Sequence, residues 1–236
     1  KLLDFSKKSA VLVLAALLGS GTSFTRLSTT MEYGKDSTRG QSELTSNIDN
    51  KTSGLDKDYA TDWSYGIAET FTLLIPNFYG GASQGSLTTD SETYNAIKRA
   101  PNAKQLIKRL PLYWGDQPFT SGPTYAGSII VFLFFLGLFF VRSEIRIWVF
   151  FATIFSIMLA WGKNFMFLTD LFLDYFPGYN KFRAVSMILV IVEFTMPLLA
   201  FVGLNKFLNS HNDKSSSFFS FALTKDDALR YSFYIT

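Results

Sequence analysis

The run Glu32-Tyr33-Gly34-Lys35-Asp36-Ser37-Thr38-Arg39-Gly40, continued by Ser42-Glu43-Leu44, is the densest group of acids, bases and hydroxyls in the chain. Arg39 carries a planar fork of N–H donors suited to phosphate or pyrophosphate oxygens, with Asp36 and Glu43 as the carboxylates beside it. A solvated loop with internal ion pairs has the same composition, and that alternative stays open. Asp62-Trp63-Ser64-Tyr65-Gly66 and Tyr113-Trp114-Gly115-Asp116-Gln117-Pro118 each set an acid beside Trp and Tyr. Aromatic faces cover the C–H surface of sugar rings and carboxylates accept from sugar hydroxyls, so both clusters fit carbohydrate. Structural aromatics account for them equally.

Three further groups carry possible chemistry. Phe176-Pro177-Gly178-Tyr179-Asn180-Lys181-Phe182-Arg183 brings two cations to the start of an apolar run, at the depth of a lipid-linked phosphate or of ordinary anionic headgroups. Asp170 and Asp174, four residues apart, share one face of a short helix. Two carboxylates without a third ligand fall short of a metal site, so no cofactor is expected, with a divalent metal the open alternative. Glu193 stands inside a long apolar stretch, either bonded into a neighbouring helix or lining a proton or substrate path.

The elements that position these groups are apolar and long. Residues 185–204 (VSMILVIVEFTMPLLAFVGL) match the roughly 30 Å hydrocarbon core at about 1.5 Å per residue. Residues 9–24, 125–141 and 147–161 are three more candidate spans, the first diluted by Gly19, Ser20, Gly21 and Thr22. Small residues at such a position let a helix pack closely on its neighbours. The N-terminal run also resembles a signal peptide, but no small-residue cleavage pattern follows, and a membrane helix is the preferred reading. The fold class expected is therefore an α-helical polytopic membrane protein of about four transmembrane helices with a mixed, largely helical extracytoplasmic lobe.

Charge orients the spans. The link Arg142-Ser143-Glu144-Ile145-Arg146, with Lys7, Lys8 and Lys206, falls on the cytoplasmic side by the positive-inside rule. Lys181 and Arg183 then lie outside against that rule, which argues for a binding role. The chain divides into a first helix with cytoplasmic flank (1–24), the extracytoplasmic lobe (25–123), helices two to four with a re-entrant or interfacial helix at 164–177 (124–204), and a cytoplasmic linker with the start of a further segment (205–236). Within the lobe, residues 91–110 predict two short helices broken at Pro101 and capped by Ser91 and Asn102.

Composition excludes several classes. With no cysteine and a single histidine, His211, in a polar stretch, the chain has no thiolate nucleophile and no histidine-centred triad or metal cluster. A net charge of +3 without a basic stripe gives no ground for a nucleic-acid partner. The chain starts at Lys1 and stops just after a helix-like stretch, as expected of a segment of something longer.

The order of EYGKDSTRGQSEL, ATDWSYGIAETFTLLIPNFYGG, LPLYWGDQPFTSGPTYAG and FPGYNKFRAVSM, interleaved with apolar helices, resembles the YfhO-like bacterial membrane proteins in the form found in Bacteroidetes-type bacteria. The resemblance covers roughly residues 9–204. It implies a polytopic protein of the bacterial cytoplasmic membrane akin to GT-C glycosyltransferases, which move a sugar from a polyprenyl-phosphate carrier to a cell-envelope acceptor on the outer face. It also implies bilayer lipids, the lipid-linked sugar phosphate and the acceptor as partners. In such enzymes the catalytic carboxylate tends to lie in the first external loop, which is expected to fall outside this segment; Asp36, Asp62 and Asp116 are the candidates within it. Donor-phosphate binding would fall to Arg39, Lys181 and Arg183, with Glu43, Trp63 and Trp114 as further substrate contacts. A transporter or flippase-like protein using Glu193 and the break at Pro177 is the alternative from another class, and a non-catalytic envelope scaffold is a third.

Overall fold

The computed structural model describes residues 2–40, 47–141, 144–209 and 224–236, so Glu43, Arg142 and His211 lie outside the described residues. Among the described residues every regular element is helical and no strand occurs. The α-helices are α1 (Leu2–Gly21), α2 (Phe24–Lys35), α3 (Lys57–Thr61), α4 (Glu92–Ile97), α5 (Ala103–Leu106), α6 (Ser128–Phe140), α7 (Glu144–Ala160), α8 (Met166–Tyr175), α9 (Leu189–Asn209) and α10 (Lys225–Ile235). Single 3-10 turns at Ile48–Asn50, Ala68–Leu73, Gly162–Phe165, Tyr179–Lys181 and Val185–Ile188 join them.

The core is a bundle of α6, α7 and α9. Along the α6–α9 seam Gly137 meets Gly203, and a Cβ on either would collide with the partner's backbone. Small residues at a helix crossing let the two backbones approach closely, and that van der Waals contact holds this seam. On the other side of α9 the hydroxyls of Thr153 (α7) and Thr195 are hydrogen-bonded at 2.8 Å, both fully buried. Val131, Phe134, Leu138, Val149, Val192 and Leu199 fill the space between the three helices. Thr224 and Asp227 start α10 with a reciprocal capping box, and Ala228 then packs against Leu136 and Phe140 of α6.

Length decides which helices can cross a bilayer. The 25 residues Val185–Asn209 are long and apolar enough alone. Two bent pairs qualify only if each counts as one span: Leu3–Gly21 with Phe24–Lys35, bent by 77°, and Glu144–Ala160 with Gly162–Tyr175, bent by 112°. The 13 residues of α6 reach only about 20 Å at 1.5 Å per residue. Among the described residues there is thus, by length and composition, one helix able to span, or up to three, where the sequence suggested four.

Two expectations need local correction. The small residues of the first span do not mediate packing among the described residues: Gly19 and Gly21 have open space beside them, and the chain turns at Thr22-Ser23 into α2, which buries nothing. In the lobe, Ser91 caps α4 by accepting from the Tyr94 N–H, whereas Asn102 sits before α5 with φ of 63° and makes no side-chain cap bond.

The lobe is fastened to one end of the bundle by backbone hydrogen bonds. The Tyr65 N–H donates to the Ala160 carbonyl (2.8 Å) and the Ser186 N–H to the Trp63 carbonyl (3.2 Å). Ser64 Oγ accepts from the Lys163 N–H at 2.8 Å, and Trp161 Nε1 donates to Thr70 Oγ1 at 3.0 Å. Gly162 makes this junction possible. Its φ is +48°, and Ser64 and Val185 occupy the place of a Cβ.

Candidate functional site

The loop between α8 and α9 is built around Asn180, a polar residue only 7% exposed. Gly178, with φ of +79°, turns the chain after Pro177. The Asn180 carbonyl accepts from the Leu55 N–H at 2.8 Å, and its side-chain amide donates to Ser53 Oγ (2.9 Å) and the Leu173 carbonyl (3.2 Å). The loop is thereby laid against residues 53–55 of the lobe. Burial beside it also raises the Tyr179 phenol above its usual range.

With Asn180 fixed, the next cations are placed. Lys181 Nζ donates to the carbonyls of Ser53 (2.6 Å) and Arg39 (3.1 Å), and Arg39 Nη1 donates back to the Lys181 carbonyl (3.2 Å). The Arg39 guanidinium lies 5.7 Å from the centre of the Phe182 ring. Arg183 lies over two rings, Trp63 at 4.8 Å and Tyr59 at 5.2 Å, and Nη1 donates to the Tyr59 hydroxyl at 2.6 Å. Among the described residues none of the three cations forms an ion pair with a carboxylate. Most N–H donors of both guanidiniums have no partner among the described residues. Arg39, Lys181, Arg183 and Trp63, drawn from segments over a hundred residues apart, form one cationic and aromatic cluster at the start of α9.

The remaining candidates lie elsewhere or do other work. Trp114 is 71% exposed and stacks on Tyr79 with ring centres 5.4 Å apart. Asp36 is exposed at the C-terminal end of α2, and Asp62 is half-buried at the end of α3, next in the chain to Trp63. Asp116 is exposed. Asp170 is ion-paired with Lys57 at 2.6 Å, a bond that raises the Lys57 ammonium above its usual range, while Asp174 is exposed. Among the described residues no group of three metal-ligating side chains occurs. Glu193 is exposed on the outer side of α9.

A carboxylate that the sequence reading did not single out is the most deeply enclosed acid of the described residues. Glu69, 1% exposed, accepts from the Gly66 N–H at Oε2 (3.0 Å) and from the Tyr113 hydroxyl (3.0 Å) and Gln117 Nε2 (3.2 Å) at Oε1. Burial pushes its carboxyl above the usual range, against those three donors, and the nearby charge of Asp116 adds to the rise. The Tyr113 phenol is raised by its own burial and then by Glu69. With Tyr65, Gln117, Thr120 and Ser186, Glu69 lines a pocket of about 210 Å³ between the lobe and the start of α9. Tyr65 is itself held by a hydrogen bond with Thr72, and burial raises its phenol as well. The signal in the sequence was a lone acid inside the otherwise uncharged Ile67-Ala68-Glu69-Thr70-Phe71-Thr72-Leu73-Leu74-Ile75.

Trp63 touches both the cation cluster and residues that adjoin this pocket. Its ring carries Arg183, its indole N–H donates to the Phe119 carbonyl (3.1 Å) beside pocket residue Thr120, and its own carbonyl holds pocket residue Ser186. Comparison with protein-family models, with curated proteins and with solved structures returned no match.

Proposed function

We propose that this chain is a segment of a YfhO-like, membrane-embedded glycosyltransferase that binds a polyprenyl-phosphate-linked sugar on the outer face of the bacterial cytoplasmic membrane and transfers the sugar to a cell-envelope acceptor. One observation carries the reading: Arg39, Lys181 and Arg183 converge, without carboxylate partners among the described residues, where the apolar helix α9 begins. Unneutralised guanidiniums at headgroup depth attract phosphate oxygens and hold them through paired, charge-assisted hydrogen bonds. Trp63 offers an aromatic face beside them, suited to the ring attached to that phosphate.

In the reaction, an acceptor hydroxyl oxygen bonds to the anomeric carbon as the anomeric C–O bond to phosphate breaks. The lipid phosphate leaves with the electron pair, and a carboxylate takes the hydroxyl proton. The chain's cations act on the leaving group by matching the charge it develops. Of Asp36, Asp62 and Asp116, the carboxylate next to Trp63 is Asp62, which makes it the first to test as base.

The reading is tested by sugar transfer from a polyprenyl-phosphate donor in membranes that carry the protein. Arg39→Ala, Lys181→Ala and Arg183→Ala are each expected to lower transfer about tenfold or more, the scale of a lost hydrogen bond to a charged group. Full transfer by all three variants would rule the donor site out.

A further inference from the structure

The cations account for a phosphate, but the neighbouring pocket has no cation among the described residues of its wall. It presents neutral hydrogen-bonding groups instead, from Tyr65, Gln117, Thr120 and Ser186, around one enclosed carboxyl group. At about 210 Å³ it is smaller than the roughly 300–1,000 Å³ of pockets that take drug-sized ligands. Oε1 of Glu69 already accepts two hydrogen bonds and Oε2 accepts one. Of the four lone-pair positions of a carboxylate, one on Oε2 is thus left for a ligand hydroxyl. An anion is disfavoured by the acid, and the three donors around Glu69 already offset the charge a cation would seek.

We propose that this pocket binds a single neutral polyhydroxylated ring, a monosaccharide unit, with the Glu69 carboxyl group as the anchor for one of its hydroxyls. Resting on the proposed function, this is the seat of the donor's sugar, and Trp63 links it to the cations that hold the phosphate. A donor would lie with its glycosidic oxygen near the indole, its ring towards Glu69 and its lipid chain towards α9.

The experiment uses the purified protein in lipid nanodiscs and two probes, free monosaccharides (D-glucose, D-galactose, D-mannose, N-acetylglucosamine) by saturation-transfer NMR and polyprenyl phosphate by a lipid-binding assay. At least one monosaccharide is expected to bind saturably. Glu69→Gln is expected to weaken that binding about tenfold, and Thr124→Leu, which fills the pocket wall without removing a recorded hydrogen bond, to weaken it as much. Arg39→Ala is expected to lower polyprenyl-phosphate binding while leaving monosaccharide binding within about twofold. If none of the four sugars binds, or if neither pocket variant alters binding, the inference is overturned, whatever the lipid does. Sugar binding with no cation-dependent lipid binding would overturn the phosphate reading and leave the pocket standing.

Discussion

Glu69 is held by Gly66, Tyr113 and Gln117 in a site that water barely reaches, and this sets how the fold responds to pH. Its folded carboxyl ionises above the ordinary value of 4.5. Below that value both folded and unfolded chains carry the proton, and the contribution of this group to stability is at its maximum. As pH rises past it, the unfolded chain releases its proton first, so stability falls until the folded carboxyl ionises too, and is flat beyond. Unfolding in detergent followed from pH 4.5 upward is expected to show this decline, and Glu69→Gln to flatten it. Glu69→Ala is expected to cost about 2–4 kcal/mol at low pH, because it strands buried donors, and less as pH rises. The cations at the start of α9 stood out in the sequence, since Lys181 and Arg183 directly precede a long apolar run and Arg39 stands in a dense polar one. Glu69 showed there only as a lone acid in an uncharged run: its partners Tyr113 and Gln117 lie 44 and 48 residues away, and no local pattern reports such a separation.

Among the elements, α9 follows most directly from the chain, because a run of apolar residues this long has few other solutions. Its first turn departs from the pattern. Ala184 takes φ of 66° and the Ser186 N–H is given to the Trp63 carbonyl, so Val185–Ile188 winds as a 3-10 turn before the α-helix begins. Hydropathy also marked the apolar stretches of α1 and α7, but it carries no information on bends, and both continue into helices at steep angles. The seam between α6 and α9 depends on the absence of side chains at Gly137 and Gly203. Gly203→Leu is expected to destabilise the bundle by about 1–3 kcal/mol, as overpacking does in a tight core, read as a lower midpoint in a thermal unfolding assay. Gly19→Leu, with open space around it, should leave that midpoint unchanged and serves as the control.

At the scale of the whole molecule, the lobe and the bundle are joined by directional bonds at the end of α7 and in the turn before α9, beside the apolar packing of Tyr65 and Leu73 against the bundle. The Asn180 side chain is central, because its amide bonds reach both Ser53 of the lobe and the end of α8. Asn180→Ala is expected to speed amide exchange at Leu55, whose N–H donates to the Asn180 carbonyl, by about tenfold, the loss of one to two buried hydrogen bonds. Exchange within α6 and α9 should not change. The ion pair of Lys57 with Asp170 crosses the same junction but is partly open to solvent, and such pairs contribute well under about 1 kcal/mol. Trp63 belongs to this junction, with a guanidinium on its ring, its indole N–H tied to the Phe119 carbonyl and its carbonyl tied to the turn before α9. Indole emission responds to the charge and polarity around the ring, so this residue gives the protein an optical channel of its own: with Trp114, Trp148 and Trp161 changed to Phe, the proposed phosphate at Arg183 and the proposed sugar beside Thr120 would each be read at one fluorophore.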